Sequence, residues 1–309
     1  MWRVLVCLAI VFLALAGLAR ADDASLPGRL LFVKDGDLWI LDGGAPRQLA
    51  TGGGWTQPTW SPDGASLAYV YRGTNFSDIF VTDAQGEGQT RLTTSQSSIL
   101  DDNDWNFRPA WSPDGTQIAF VSDRKTAYPT VWLMNAEDGT RLRSVPTPGL
   151  IGESLDAISW SPDGERLAVT LFGNTGPSQV AIVPVDPGRR ETARLLTDRP
   201  GGALDPAWSP DGAWIAYAGR EGNTSEVFAS RPNGRDPVRL THDGVLARSP
   251  AWSPDGQHLA YLSNKTGWFE AWVVDVSTDP SGVLVASGDP RPLTKDLHLD
   301  ATAGLAWGR

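Results

Sequence analysis

The densest run of side chains able to do chemistry lies between Ser95 and Phe107, where Asp101, Asp102, Asn103, Asp104, Trp105 and Asn106 follow one another and Arg108 comes just after. Asp102-x-Asp104-x-Asn106 imitates the first three ligands of a calcium loop, because oxygen donors at alternate positions can converge on one hard cation. The run lacks the Gly that should follow and the terminal Glu, so it reads as an acidic loop that contacts a partner, and no metal is assigned. His242, His258 and His298 do not have the spacing of a metal cluster. No Gly-x-Ser-x-Gly nucleophile elbow occurs, and Cys7 is the only cysteine. With no catalytic constellation and no cofactor motif, the chain is expected to be non-enzymatic and cofactor-free.

What must position these residues is a repeat. The pentapeptide Trp-Ser-Pro-Asp-Gly occurs at Trp60, Trp111, Trp160, Trp208 and Trp252, at a period close to 48 residues. Behind each copy comes a strand such as Leu67-Ala68-Tyr69 or Ile215-Ala216-Tyr217. A second strand follows with a bulky column at Trp39, Phe80, Trp132, Phe228 and Trp272, where Ala181 is the exception. The repeat closes on an Arg-Leu-Thr-like strand, as at Arg91-Leu92-Thr93 and Arg239-Leu240-Thr241, and residues 141–147 are its least regular copy. Four short strands per repeat, each too small to bury its faces alone, select an all-β propeller whose blades stack on their neighbours.

The ends set the number of blades. Arg29 to Thr51 matches strands two to four of a repeat without its first strand, and Gly304-Leu305-Ala306-Trp307 supplies that first strand at the other end. Five full repeats and one split repeat (29–51 with 302–307) predict a six-bladed β-propeller over residues 22–309, closed by pairing the C-terminal strand with the N-terminal blade. In each Ser-Pro-Asp-Gly, Pro presets φ, Asp bonds nearby amides and Gly takes a positive φ, so the five repeated aspartates read as turn scaffold rather than as acids for catalysis.

Residues 1–21 read as a secretory signal: Arg3 in a short basic region, an apolar stretch from Val4 to Leu18, and Ala19-Arg20-Ala21 before Asp22. Export to the periplasm or outside the cell is therefore expected, with no stable membrane insertion after cleavage. The formal charge of −10 gives no footprint for nucleic acid or an anionic membrane.

Subtracting the repeat columns leaves Trp55, Trp105 and Trp268, all expected in loops of the face that carries the connections between strands two and three and between blades. Large aromatics in loops bring contact area at little entropy cost. With them, Asp102, Asp104, Arg108, Arg124, Tyr128 and Arg248 form the candidate partner-binding set. Asp156, Asp205 and Asp300 fall near the expected channel mouth, and Arg72 and Lys125 lie on the same face.

The Trp-Ser-Pro-Asp-Gly turns and the columns behind them resemble the TolB-like propellers, bacterial WD40-like repeats, over residues 29 to 309. That resemblance implies an exported propeller binding a protein or peptide on its loop face. TolB proteins carry an α/β domain ahead of the propeller, where this sequence has only Asp22 to Gly28 before its first strand. Similar propellers precede a serine peptidase domain in prolyl-oligopeptidase-like enzymes, and no such domain follows Arg309. The alternatives kept open are a propeller that binds or cleaves glycans, since aromatic platforms with acids also suit sugars, and an accessory subunit of an envelope enzyme or transporter.

Overall fold

The computed structural model describes residues 27–97, 103–150, 153–173, 176–186 and 191–309. The stretch read as a signal, 1–21, lies outside these residues, as does Asp102. The described chain forms six four-stranded antiparallel sheets. Their innermost strands are Ala306–Gly308, Trp55–Trp60, Asn106–Trp111, Ser154–Trp160, Ala203–Trp208 and Ala247–Trp252, for blades 1 to 6 in order. Blade 1 is the split repeat: its innermost strand pairs Gly308 with Arg29, Trp307 with Leu30 and Ala306 with Leu31.

The second strand of every blade is the apolar centre. Leu67, Ala68, Tyr69, Ile118, Phe120, Leu259 and Tyr261 are buried, because blades press on both faces of each such strand. Two of the wedge tryptophans, Trp160 and Trp252, fasten neighbouring blades as well as filling the seam. The Trp160 indole donates to the Ala110 carbonyl of blade 3 at 3.0 Å, and the Trp252 indole to the Ala207 carbonyl of blade 5 at 3.0 Å.

Each Ser-Pro-Asp-Gly turn is closed by its serine. Ser61 donates to Asp63 at 2.6 Å and accepts the Ser66 amide at 2.9 Å, while Asp63 accepts the Ala65 amide at 3.0 Å. Gly64 has φ 69°, a conformation that a side chain would strain. The Ser61 hydroxyl, then the Ala65 amide, hold the Asp63 carboxyl below its ordinary value, and Ser112 and the Thr116 amide do the same for Asp114. A carboxyl depressed on folding contributes stability above its unfolded pKa and loses it as pH falls through the folded value. The melting temperature of the wild type is therefore expected to fall below about pH 4. In calorimetry from pH 7 to 3, the gap between wild type and Asp114→Asn should narrow as pH drops; a gap that stays constant contradicts this role for the turn.

Five of the six innermost strands, those of blades 2 to 6, bulge at one place. The ladder to the second strand shifts register between Thr56 and Thr59, Phe107 and Ala110, Asp156 and Ile158, Leu204 and Ala207, and Arg248 and Ala251. The residue three before each wedge tryptophan takes a positive φ: Gln57 53°, Arg108 51°, Ala157 37°, Asp205 54°, Ser249 49° and Gly304 81°. A bulge inserts one residue and bends the strand. Five bulges and the positive-φ Gly304 of blade 1 together make a ring that narrows the central channel.

Candidate functional site

The bulge ring divides the channel. On the loop face lies a cavity of about 930 Å³, whose lining includes Trp55, Trp105, Phe107, Leu155, Asp156 and Phe172. Gln57 and Arg108 belong both to this mouth and to a neck of about 140 Å³ that Ala157, Asp205, Ser249 and Gly304 complete. Beyond the neck, a vestibule of about 380 Å³ opens among the wedge tryptophans and turn prolines of the hairpin face.

A polar network crosses the neck. The Arg108 guanidinium meets the Asp156 carboxylate through two bonds, at 3.0 and 3.3 Å, and lies 4.0 Å from Asp205. Asp205 accepts the Ser249 amide and hydroxyl at 3.2 and 3.3 Å, and Gln57 accepts the Arg108 amide at 2.8 Å. Burial pulls the Arg108 pKa down, but Asp156 and Asp205 outweigh it and raise it above the ordinary value, so the guanidinium keeps its charge. This network is the floor of the mouth.

A polar column lies two residues ahead of the bulky column in each third strand: Asp37, Asp78, Thr130, Gln179, Glu226 and Glu270, of which Asp78, Gln179, Glu226 and Glu270 are buried. Asp78 accepts the Thr93 hydroxyl at 2.8 Å, the Ser95 amide at 3.0 Å and the Arg91 guanidinium. Glu226 accepts the Thr241 hydroxyl, the Asp243 and Gly244 amides at 3.1 and 2.8 Å, and Arg239 at 2.8 Å. Glu270 accepts the Thr294 hydroxyl and the Leu297 and His298 amides. In blades 2, 5 and 6 the Arg-Leu-Thr-like strands therefore serve as donors that tie the inter-blade loop to a buried acid. Blade 3 has Thr130 in this column, its hydroxyl buried with no partner, beside the fourth strand whose sequence is least regular.

The candidate residues separate into three groups. Trp55, Trp105 and Arg108 meet at the mouth. Trp105 stacks on Phe107 with ring centres 6.0 Å apart, and Arg72 lies 6.0 Å over the indole. Trp55 corrects the expectation of a loop residue: it opens the innermost strand of blade 2, opposite Tyr71, because the three glycines ahead of it end the loop and its ring seats against Tyr69, Tyr71 and Phe80 at 5.2, 5.0 and 5.7 Å.

Asp104 and Arg124 form the second group, half-buried rather than exposed. They pair at 3.4 Å, and Arg124 also bonds Asn106 at 3.2 Å and covers the rings of Phe120 and Trp132. Burial raises the Asp104 carboxyl above its ordinary value, with Arg124 opposing. Asn106, the third position of the calcium-like spacing, is buried, and its amide donates to the Ser77 carbonyl at 2.8 Å and the Ser95 hydroxyl at 2.6 Å. Through these contacts Asp104 and Asn106 are held to Ser77, Ser95 and Arg124.

The third group stands apart from the cavity. Tyr128 is exposed, Arg248 is half-buried on the blade 6 innermost strand, and Trp268 is 62% exposed and stacked on His298 with ring centres 4.6 Å apart. Sequence reasoning passed over Phe107, Leu155, Phe172 and Asp123, which also line the mouth. Phe172 offered a signal: an aromatic at the end of a second strand where other blades have a polar residue or glycine-flanked turn. Among the described residues no group of three or more His, Cys, Asp or Glu side chains is arranged to hold a metal ion.

A family model for the TolB beta propeller domain, PD40, matches residues 41–151 and 151–292. The chain is 27% identical over 219 residues to the uncharacterized peptidase YuxL of Bacillus subtilis, covering 58% of this chain and 31% of that protein. It is 29% identical over 165 residues to a protein TolB homolog of Chlorobium luteolum, covering 53% of this chain and 34% of that one. The chain thus spans about a third of the length of these two curated relatives. The crystal structure of TolB from Acinetobacter baumannii superposes with a TM-score of 0.70 at 20% identity, over 92% of this chain and 67% of that one, a likeness of fold. The peptidase name overturns the expectation of a non-enzymatic protein. That expectation rested on the absence of a catalytic constellation, the nucleophile elbow included, in a chain that spans about a third of the length of the protein so named.

Proposed function

The chain belongs to the TolB beta propeller domain family, and we propose that it binds a segment of a protein or peptide partner at the loop-face mouth of its channel after export directed by residues 1–21. The observation that carries this reading is the mouth itself: a cavity of about 930 Å³ with aromatic walls and a polar floor. Binding sites are typically concave and apolar with a few fixed polar groups. Trp105, Phe107 and Phe172 supply rigid contact area, and Phe172 is 44% exposed in the free protein. The Arg108–Asp156 floor stops an entering segment at the neck and directs side chains sideways onto these rings.

Affinity capture from the native secretome tests the reading. The double variant Trp105→Ala/Phe172→Ala is expected to recover at least tenfold less partner than wild type, since truncating two aromatic anchors typically costs about 2 kcal/mol or more. Pro113→Ala on the hairpin face is expected to recover as much as wild type. Equal recovery by wild type and the double variant would reject the mouth as the site.

A further inference from the structure

We propose that the mouth selects an apolar segment bearing a basic side chain, Lys or Arg, over one bearing an acidic side chain. The inference rests on the reading of the mouth as the partner site and adds the chemistry of what enters it.

Charge is the first argument. The mouth lining holds three carboxylates, Asp123, Asp156 and Asp300, against two guanidiniums, Arg72 and Arg108. Arg108 is committed to Asp156 and Asp205 in the floor. Asp123 and Asp300 are not committed to any cation among the described residues. The backbone nevertheless fixes both: Asp123 accepts the Trp105 amide at 2.8 Å and Asp300 accepts the Gly36 amide at 3.0 Å, each through one oxygen. The second oxygen of each has no hydrogen bond among the described residues. These are pre-oriented acceptors at the edge of an aromatic cavity.

Aromatic chemistry is the second. Ring faces attract cations, and guanidinium most often. The wall already does this with a side chain of the protein itself, since Arg72 lies over Trp105. A lysine or arginine from a partner can lay its methylene stem along Phe107 or Phe172 while its head reaches Asp123 or Asp300, the usual division of labour in long basic side chains. An acidic side chain would find only Arg72 free of a carboxylate there and would face Asp123 and Asp300.

Three dye-labelled eight-residue peptides with blocked ends serve as probes. They are identical at four apolar positions and carry Lys, Gln or Glu at the four alternating ones. Fluorescence anisotropy is expected to give the Lys peptide about tenfold higher affinity than the Gln peptide, the combined worth of two exposed charge pairs, and the Glu peptide the weakest binding. In Asp123→Asn/Asp300→Asn, which keeps both amide acceptors, the Lys peptide should lose about tenfold while the Gln peptide stays within about twofold. Unchanged melting temperature shows that the variant is folded. A Glu peptide binding as well as the Lys peptide, a Lys peptide unaffected by the double variant, or no binding of the Lys peptide at millimolar concentration each overturns the charge rule. Phe172→Ala separates this from the underlying reading: it should weaken every peptide that binds, and if it weakens none, the mouth is not the site.

Discussion

Removing residues 300–309 is expected to abolish the cooperative melting transition seen in the full chain, or to move it down by at least about 15 °C. The deleted segment is the innermost strand of blade 1. Without it, Leu30, Leu31 and Phe32, all buried, lose the strand that covers one edge of their sheet. The Trp307 indole no longer donates to the Pro27 carbonyl, and the Asp300 amide no longer meets the Val33 carbonyl, so both ends of the ring seam come apart. Returning a large apolar side chain to water costs about 1.5–3 kcal/mol. Three or four such losses match the whole net stability of a typical domain, about 5–15 kcal/mol. Scanning calorimetry of the truncated chain decides the matter; a transition within about 3 °C of the full chain's would show that the seam does not hold the ring closed.

The second large effect is expected at Glu226. This carboxylate is fully buried and satisfies four donors at once: the Thr241 hydroxyl, the Arg239 guanidinium and the Asp243 and Gly244 amides. Glu226→Ala leaves the Thr241 hydroxyl and the Asp243 and Gly244 amides without this acceptor, while Arg239 keeps Glu221 at 3.1 Å; each buried donor left unpaired costs about 1–3 kcal/mol. Glu226→Gln keeps one oxygen acceptor and much of the shape, so it should recover part of that loss. Urea unfolding of wild type and both variants gives the comparison. The expected order is wild type, then Gln, then Ala, with an unchanged slope. A loss under about 1 kcal/mol for Ala would mean that water replaces the carboxylate without difficulty, and that the column does not hold the loops.

Blade count and ring closure were readable because the turn chemistry repeats by identity. Only Pro and Gly satisfy their positions in the Ser-Pro-Asp-Gly turn, so the pentapeptide recurs unchanged and marks every blade. The polar column was harder to read for the opposite reason. It requires an acceptor at a fixed depth, and Asp78, Gln179 and Glu226 all meet that need with side chains of different length and charge. The bulge ring was marked only indirectly, by the prolines that follow Gln57, Arg108, Asp205 and Ser249. Proline's missing donor fits an edge strand whether or not that strand bulges.

The candidate site was legible where an aromatic stood outside the repeat, as Trp105 does, and illegible where an aromatic sat at a strand end, as Phe172 does. Arg124 and Asp104 read as surface charges in sequence, yet the fold turns them toward each other, because the rings of Phe120 and Trp132 give the guanidinium faces to cover. Tyr128, Arg248 and Trp268 were chosen for their face of the propeller. A face is wider than its cavity, and these three fall outside the mouth.

The central claim is that a partner sits in the loop-face mouth and not at the hairpin end of the channel. Hydrogen exchange read by mass spectrometry, on the protein with and without its captured partner, tests this most directly. Slower exchange is expected for amides of Trp105–Phe107, Leu155–Asp156 and Ala301–Ala303, with the turns at Ser61–Gly64 and Ser253–Gly256 unchanged. Protection of those turns with the mouth unaffected would contradict the account.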